Sequence, residues 1–80
     1  MSPTVFREKG YRFYFFSREE TRPHVHVQHS TGEAKYWLDP RIELAVNHGL
    51  TLRRVREAER IVKEHEDEIW AAWKVHFPKG

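Results

Sequence analysis

One change of texture near residue 50 restricts the fold more than any other feature. Before Leu50, short runs rich in aromatic and β-branched residues alternate with turn signals. After Thr51 the chain is charged, carries alanine and has no Gly or Pro until Pro78. The first pattern is that of strands and the second that of a helix. Strands are expected near residues 5–8, 11–16, 24–29, 33–38 and 42–46, separated by Lys9-Gly10, the polar stretch 17–23, Ser30-Thr31-Gly32, Asp39-Pro40 and Asn47-His48-Gly49. Connections this short join antiparallel neighbours, so the sheet is a meander. The expectation is an α+β fold: four or five antiparallel strands over about 4–46 and one long helix over about 52–77 across one face. At 80 residues the chain holds one domain, 1–80, with a thin two-layer core.

The helix has a readable start. Gly49 breaks the strand, and the Thr51 hydroxyl can accept a free amide proton of the first turn. The third residue after Thr51 is Arg54, so the reciprocal capping box is missing. At 100° per residue, Val55, Ala58, Val62, Ile69, Ala72 and Trp73 fall in one apolar sector with His65 and His76 beside them. A straight helix of this span would be about 39 Å long, which leaves its last turns overhanging the sheet or broken near Glu66-Asp67. Trp70 falls outside the sector. It either folds over the domain edge beside Phe77 or meets a partner.

Composition removes several function classes. The absence of Cys excludes a disulfide-stapled miniprotein, a cysteine nucleophile, a thiolate zinc finger and an iron–sulfur centre. The longest apolar run is Phe13-Tyr14-Phe15-Phe16, far short of the roughly 20 residues of a membrane span. No apolar stretch follows the N-terminus, so a soluble, unprocessed, cytoplasmic protein is expected. Residues 1–40 carry six basic and five acidic side chains and residues 41–80 eight and seven, so each half is only +1. That is not the clustered surplus of a dedicated DNA binder.

The densest candidate for chemistry is Arg22-Pro23-His24-Val25-His26-Val27-Gln28-His29. Alternate strand residues share a face, so His24 and His26 stand together and Val25 and Val27 take the other side. Two imidazoles on one face can bind zinc or another divalent metal if a third ligand arrives from a neighbouring strand. Glu33, Asp39 and Glu43 are the nearby carboxylates. With Gly32 in the left-handed position of a three-residue loop, His26 would oppose Tyr36; a shift by one residue would oppose it to Lys35 or Trp37. The same histidines can instead serve as acid–base groups beside Arg22 and Lys35, with Tyr14, Tyr36 and Arg12 completing a set of the kind used by small metal-free ribonucleases. The third reading is structural or interfacial.

The sheet offers a wider surface. If Phe13, Phe15, Val25, Val27, Leu38, Ile42 and Leu44 face the helix, the other face carries Arg12, Tyr14, Phe16, His24 and His26, joined in one register by Lys35 and Trp37. Tyr, Trp, Phe and Arg are the residues that protein interfaces favour. Aromatic and basic side chains interleaved on a sheet also stack bases and hold phosphates. The modest charge of each half makes a protein partner the expected occupant and nucleic acid the alternative. A second copy of the chain would also fit.

These residues carry a family resemblance. Thr4-Val5-Phe6, the aromatic run 12–16, Arg22-Pro23-His24-Val25-His26-Val27, Gly32-Glu33-Ala34 and the late Glu68-Ile69-Trp70 together resemble the bacterial family called domain of unknown function 4160, over nearly the whole chain. Lys35-Tyr36-Trp37 and the stretch 41–50 depart from its usual pattern. The resemblance implies one half of a small two-gene cassette, often beside a member of domain of unknown function 2442, forming a toxin–antitoxin-like module. His24 and His26 match its motif positions. The expected function is therefore a component of such a module acting through a protein encoded next to it. A small ribonuclease or metal-dependent hydrolase using His24 and His26 is the alternative.

Overall fold

A computed structural model describes residues 4–16 and 22–77. Five strands, β1 (Thr4–Glu8), β2 (Tyr11–Tyr14), β3 (His24–His29), β4 (Gly32–Trp37) and β5 (Glu43–His48), form one antiparallel sheet in sequence order, followed by α1 (Leu52–Glu64) and α2 (Glu66–His76). The meander is as expected. Of the polar 17–23 break, residues 17–21 lie outside the described residues.

Turn chemistry sets the register. Lys9 (φ 53°) and Gly10 (φ 83°) link β1 to β2 in a two-residue loop whose positive φ values match the twist of the flanking strands. The β3–β4 loop is also two residues, Ser30-Thr31, because His29 pairs with Gly32. Gly32 is therefore a strand residue and not the left-handed member of a three-residue loop, and His26 opposes Lys35, not Tyr36. Gly is required there for another reason: a Cβ on Gly32 would run into the His48 carbonyl oxygen. Gly49 adopts φ 93°, and Asn47 closes the turn by accepting from the Leu50 amide (3.0 Å) and donating to its carbonyl (2.9 Å). Each outer strand carries one extra residue. Val5 sits between the pairs Thr4/Tyr14 and Phe6/Phe13, and Ala45 between Lys35/Val46 and Tyr36/Leu44. Both edges are bulged.

Tyr11, Phe13, Phe15, Val25, Val27, Ala34, Tyr36 and Leu38 form the covered side of the sheet. They pack against Val55, Ala58, Ile61, Val62, Ile69 and Trp73 of the helices. Fully burying a large apolar side chain stabilises by roughly 1.5–3 kcal/mol, so this seam holds the fold. Leu44, expected within it, is 37% exposed on the outer strand, next to the bulge at Ala45. Two tyrosines tie the layers. Tyr36 Oη donates to the Val55 carbonyl (2.6 Å) and Tyr11 Oη to Glu57 Oε1 (2.8 Å). Burial raises both phenol pKa values, and the Tyr11 bond lowers that of Glu57.

The single long helix is not what forms. Thr51 caps α1 as expected, accepting from the Arg54 amide at 3.2 Å, but the chain bends at His65 (φ −109°, ψ 21°) before α2 begins. A straight helix of about 39 Å would exceed the molecule's longest dimension, 34 Å, and leave apolar residues past the sheet. The bend is fixed by side chains: His65 Nε2 meets Glu8 of β1 and Nδ1 meets Glu68 of α2, both at 2.9 Å, while its ring lies 4.3 Å from Phe6. Both nitrogens can donate only from the imidazolium, and the Glu68 bond, helped by Glu8, raises the pKa of His65 against the opposing effect of burial. α2 then runs to the far end of β2, where Trp73 packs on Phe15.

Candidate functional site

The side of the sheet turned away from the core, here the open face, is built by strand alternation, and two of its residues, Tyr14 and His24, are buried. The cross-strand pairs Arg12/Gln28, Tyr14/His26, His26/Lys35 and His24/Trp37 place Arg12, Tyr14, His24, His26, Lys35 and Trp37 on one surface. Phe16 lies two residues beyond the end of β2 and joins them through its ring, 4.5 Å from that of His26.

The side chains form a continuous run of rings and cations. The Arg12 guanidinium lies 4.4 Å above the Tyr14 ring, and Tyr14 stacks on His26 at 5.3 Å. His26 meets His24 edge-on at 5.0 Å, and His24 meets Trp37 at 6.0 Å. At the far end the Arg22 guanidinium is 4.1 Å and Lys35 Nζ 4.6 Å from the Trp37 ring centre. Cation–aromatic contacts of this kind each contribute about 0.5–1 kcal/mol at exposed positions. Backbone and side-chain bonds hold the ends: Arg12 Nε donates to Thr4 Oγ1 (2.7 Å) and Arg22 Nε to the Asp39 carbonyl (3.1 Å). A shallow depression of about 240 Å³ opens among Tyr14, Phe16, His26, Lys35, Val46 and His48.

The two motif histidines have different surroundings. His24 is fully buried at the start of β3, its Nδ1–H donating to the Arg22 carbonyl at 2.7 Å and its ring 5.3 Å from Trp73. Alternation puts it on the open side, and Trp73 of α2 reaches its ring. His26 is half-buried and borders the depression. Of the expected third metal ligands, Glu33 borders the same depression as His26 and His48, while Asp39 and Glu43 do not. Glu33 pairs across to Gln28 and His48, Glu43 lies 4.0 Å from Arg41, and Asp39 is exposed outside the strands. Among the described residues no three His, Asp or Glu side chains are grouped to hold a metal ion. Trp70 is half-buried and packs against the core. Val46 and His48 border the site without having been singled out in the sequence. The signal for them was the one-residue choice of hairpin register, which carries β5 along with β4.

None of the described helices is long and apolar enough to cross a membrane. No curated protein and no solved structure is detectably similar to the chain. The family model described as Domain of unknown function (DUF4160) matches residues 10–74, from the residue before the second strand to the last turn of the second helix, and the chain belongs to that family.

Proposed function

We propose that the chain is one component of a two-protein, toxin–antitoxin-like module and that it acts through protein–protein contact on the open face. The run of Arg, Tyr, His and Trp side chains from Arg12 to Trp37 carries this reading, because these are the residue types that concentrate binding energy at protein interfaces. Phe16 and Val46, 43% and 39% exposed, supply the apolar surface that such an interface needs. The enclosure of His24 favours binding over hydrolysis, since a general acid or base must reach the proton it moves. The cytoplasm suits a module of this kind.

The test pairs the chain with the product of its neighbouring gene and reads complex formation by calorimetry. The expected result is a stoichiometric complex that Phe16→Ala with Trp37→Ala weakens at least tenfold while circular dichroism is unchanged. A chain that binds no such product, but arrests growth in a way that His26→Ala abolishes, would instead be the enzyme.

A further inference from the structure

We propose that α2 is a homodimer interface, on which a second copy of the chain docks its own α2 antiparallel to the first. This does not rest on the open-face reading and uses the other layer of the molecule.

The two helices distribute their apolar residues differently. In α1, Val55, Ala58, Ile61 and Val62 form one buried stripe, and Leu52 in the first turn is the only apolar residue among its exposed positions. In α2 there is no such division. Residues 69–73, Ile-Trp-Ala-Ala-Trp, are apolar without a break, and Val75 follows. Ile69 and Trp73 are buried in the core, Trp70 and Ala72 are half-buried, and Ala71 and Val75 are exposed, Val75 at 83%. A surface helix is apolar along one stripe, whereas a helix apolar all round is covered all round. In the single chain the side of α2 turned away from the sheet is open.

The same side specifies its occupant. Asp67, Trp70, Ala71 and Lys74 follow the spacing i, i+3, i+4, i+7 and so adjoin one another along the helix. This stripe is its own complement when reversed. Laid antiparallel across a two-fold axis midway between Trp70 and Ala71, it brings Asp67 of one copy to Lys74 of the other and Trp70 of one to Ala71 of the other, each pair twice. A large ring then lies on a small side chain, and the helix axes can reach the ordinary separation of about 8–10 Å. Trp is also a residue type that concentrates binding energy once enclosed at an interface. Asp67 and Lys74 are both exposed, and neither has an ion-pair partner among the described residues. Their neighbours are engaged, Glu68 by His65 and Lys63 by Glu59. The whole helix has the same polarity, with Glu66, Asp67 and Glu68 in its first turn and Lys74 in its last. An antiparallel copy therefore sets opposite charges together, and a parallel copy would set like charges together. The contact leaves the open face of each copy uncovered.

Sedimentation equilibrium of the full chain over a range of concentrations tests this. The wild type should associate to a dimer and no further, because a two-fold contact closes on itself. Ala71→Glu should weaken the dimer at least tenfold with the circular dichroism spectrum unchanged. Asp67→Lys and Lys74→Asp should each weaken it by setting like charges opposite, and the two reversals combined should restore it. A chain that stays monomeric at every concentration, a dimer that Ala71→Glu leaves intact, or single reversals that the combined variant does not rescue would overturn the proposal. So would a dimer that Phe16→Ala weakens as much as Ala71→Glu does, since the contact would then involve the open face.

Discussion

The two sides of the sheet are made from the same residue types and use them differently. On the covered side the tyrosine hydroxyls reach helix α1, and Phe13, Val25, Val27 and Tyr36 are fully enclosed. On the open side Tyr14, His26 and Trp37 turn to one another and to cations, and Phe16 stays 43% exposed. Strand parity makes most of this assignment, and Tyr14 and His24, on the open side by parity, are nonetheless buried. A ring one residue further along is either part of the core or part of a surface.

The largest test of that contrast is a pair of truncations. Phe13→Ala should cost about 3–5 kcal/mol, a large share of the stability expected of a small domain, whereas Phe16→Ala should cost under about 1 kcal/mol. Urea midpoints compare them, and equal losses would mean that the open side is also core. A sharper version leaves the ring in place. Tyr36→Phe removes only the hydroxyl bonded to the Val55 carbonyl and should lower stability by about 1 kcal/mol, with no effect on any partner of the open face.

The smallest effect concerns the place where the covered side meets its outermost strand. Because the folded pKa of His65 lies above its ordinary 6.5, the imidazolium's contribution is complete below that value and fades as pH rises through the folded one. The groups facing it are Glu8 from β1 and Glu68 from α2. Urea midpoints measured near pH 6 and near pH 8.5 should fall further with pH in the wild type than in His65→Gln. Parallel curves would show that Phe6 packing and not charge secures the bend.

Alternation and turn residues made the five strands, their order and most of the core legible, down to Val25 and Val27 against His24 and His26. What was not legible depended on distance along the chain. Nothing near His65 in sequence announces Glu8, 57 residues away, so the helix reads as continuous where the fold bends it. His24 and His26 are equivalent by parity, yet His24 is fully buried with its ring against Trp73 of the last helix and His26 is half-buried. The hairpin register turned on whether Gly32 was a loop or a strand residue, and its pairing with His29, under a His48 carbonyl oxygen that leaves no room for a Cβ, is invisible locally. The open face was legible as a set of residues, but its stacking order was not.

The extra residues at Val5 and Ala45 bear on how this molecule meets others. A regular outer strand invites another to continue the sheet sideways, which is how small β-rich chains template one another into fibres. Here neither margin is regular, so lateral growth is discouraged on both sides. The partner proposed for the open face would settle instead over the strands as a third layer, opposite the helices, and the assembly would thicken without widening.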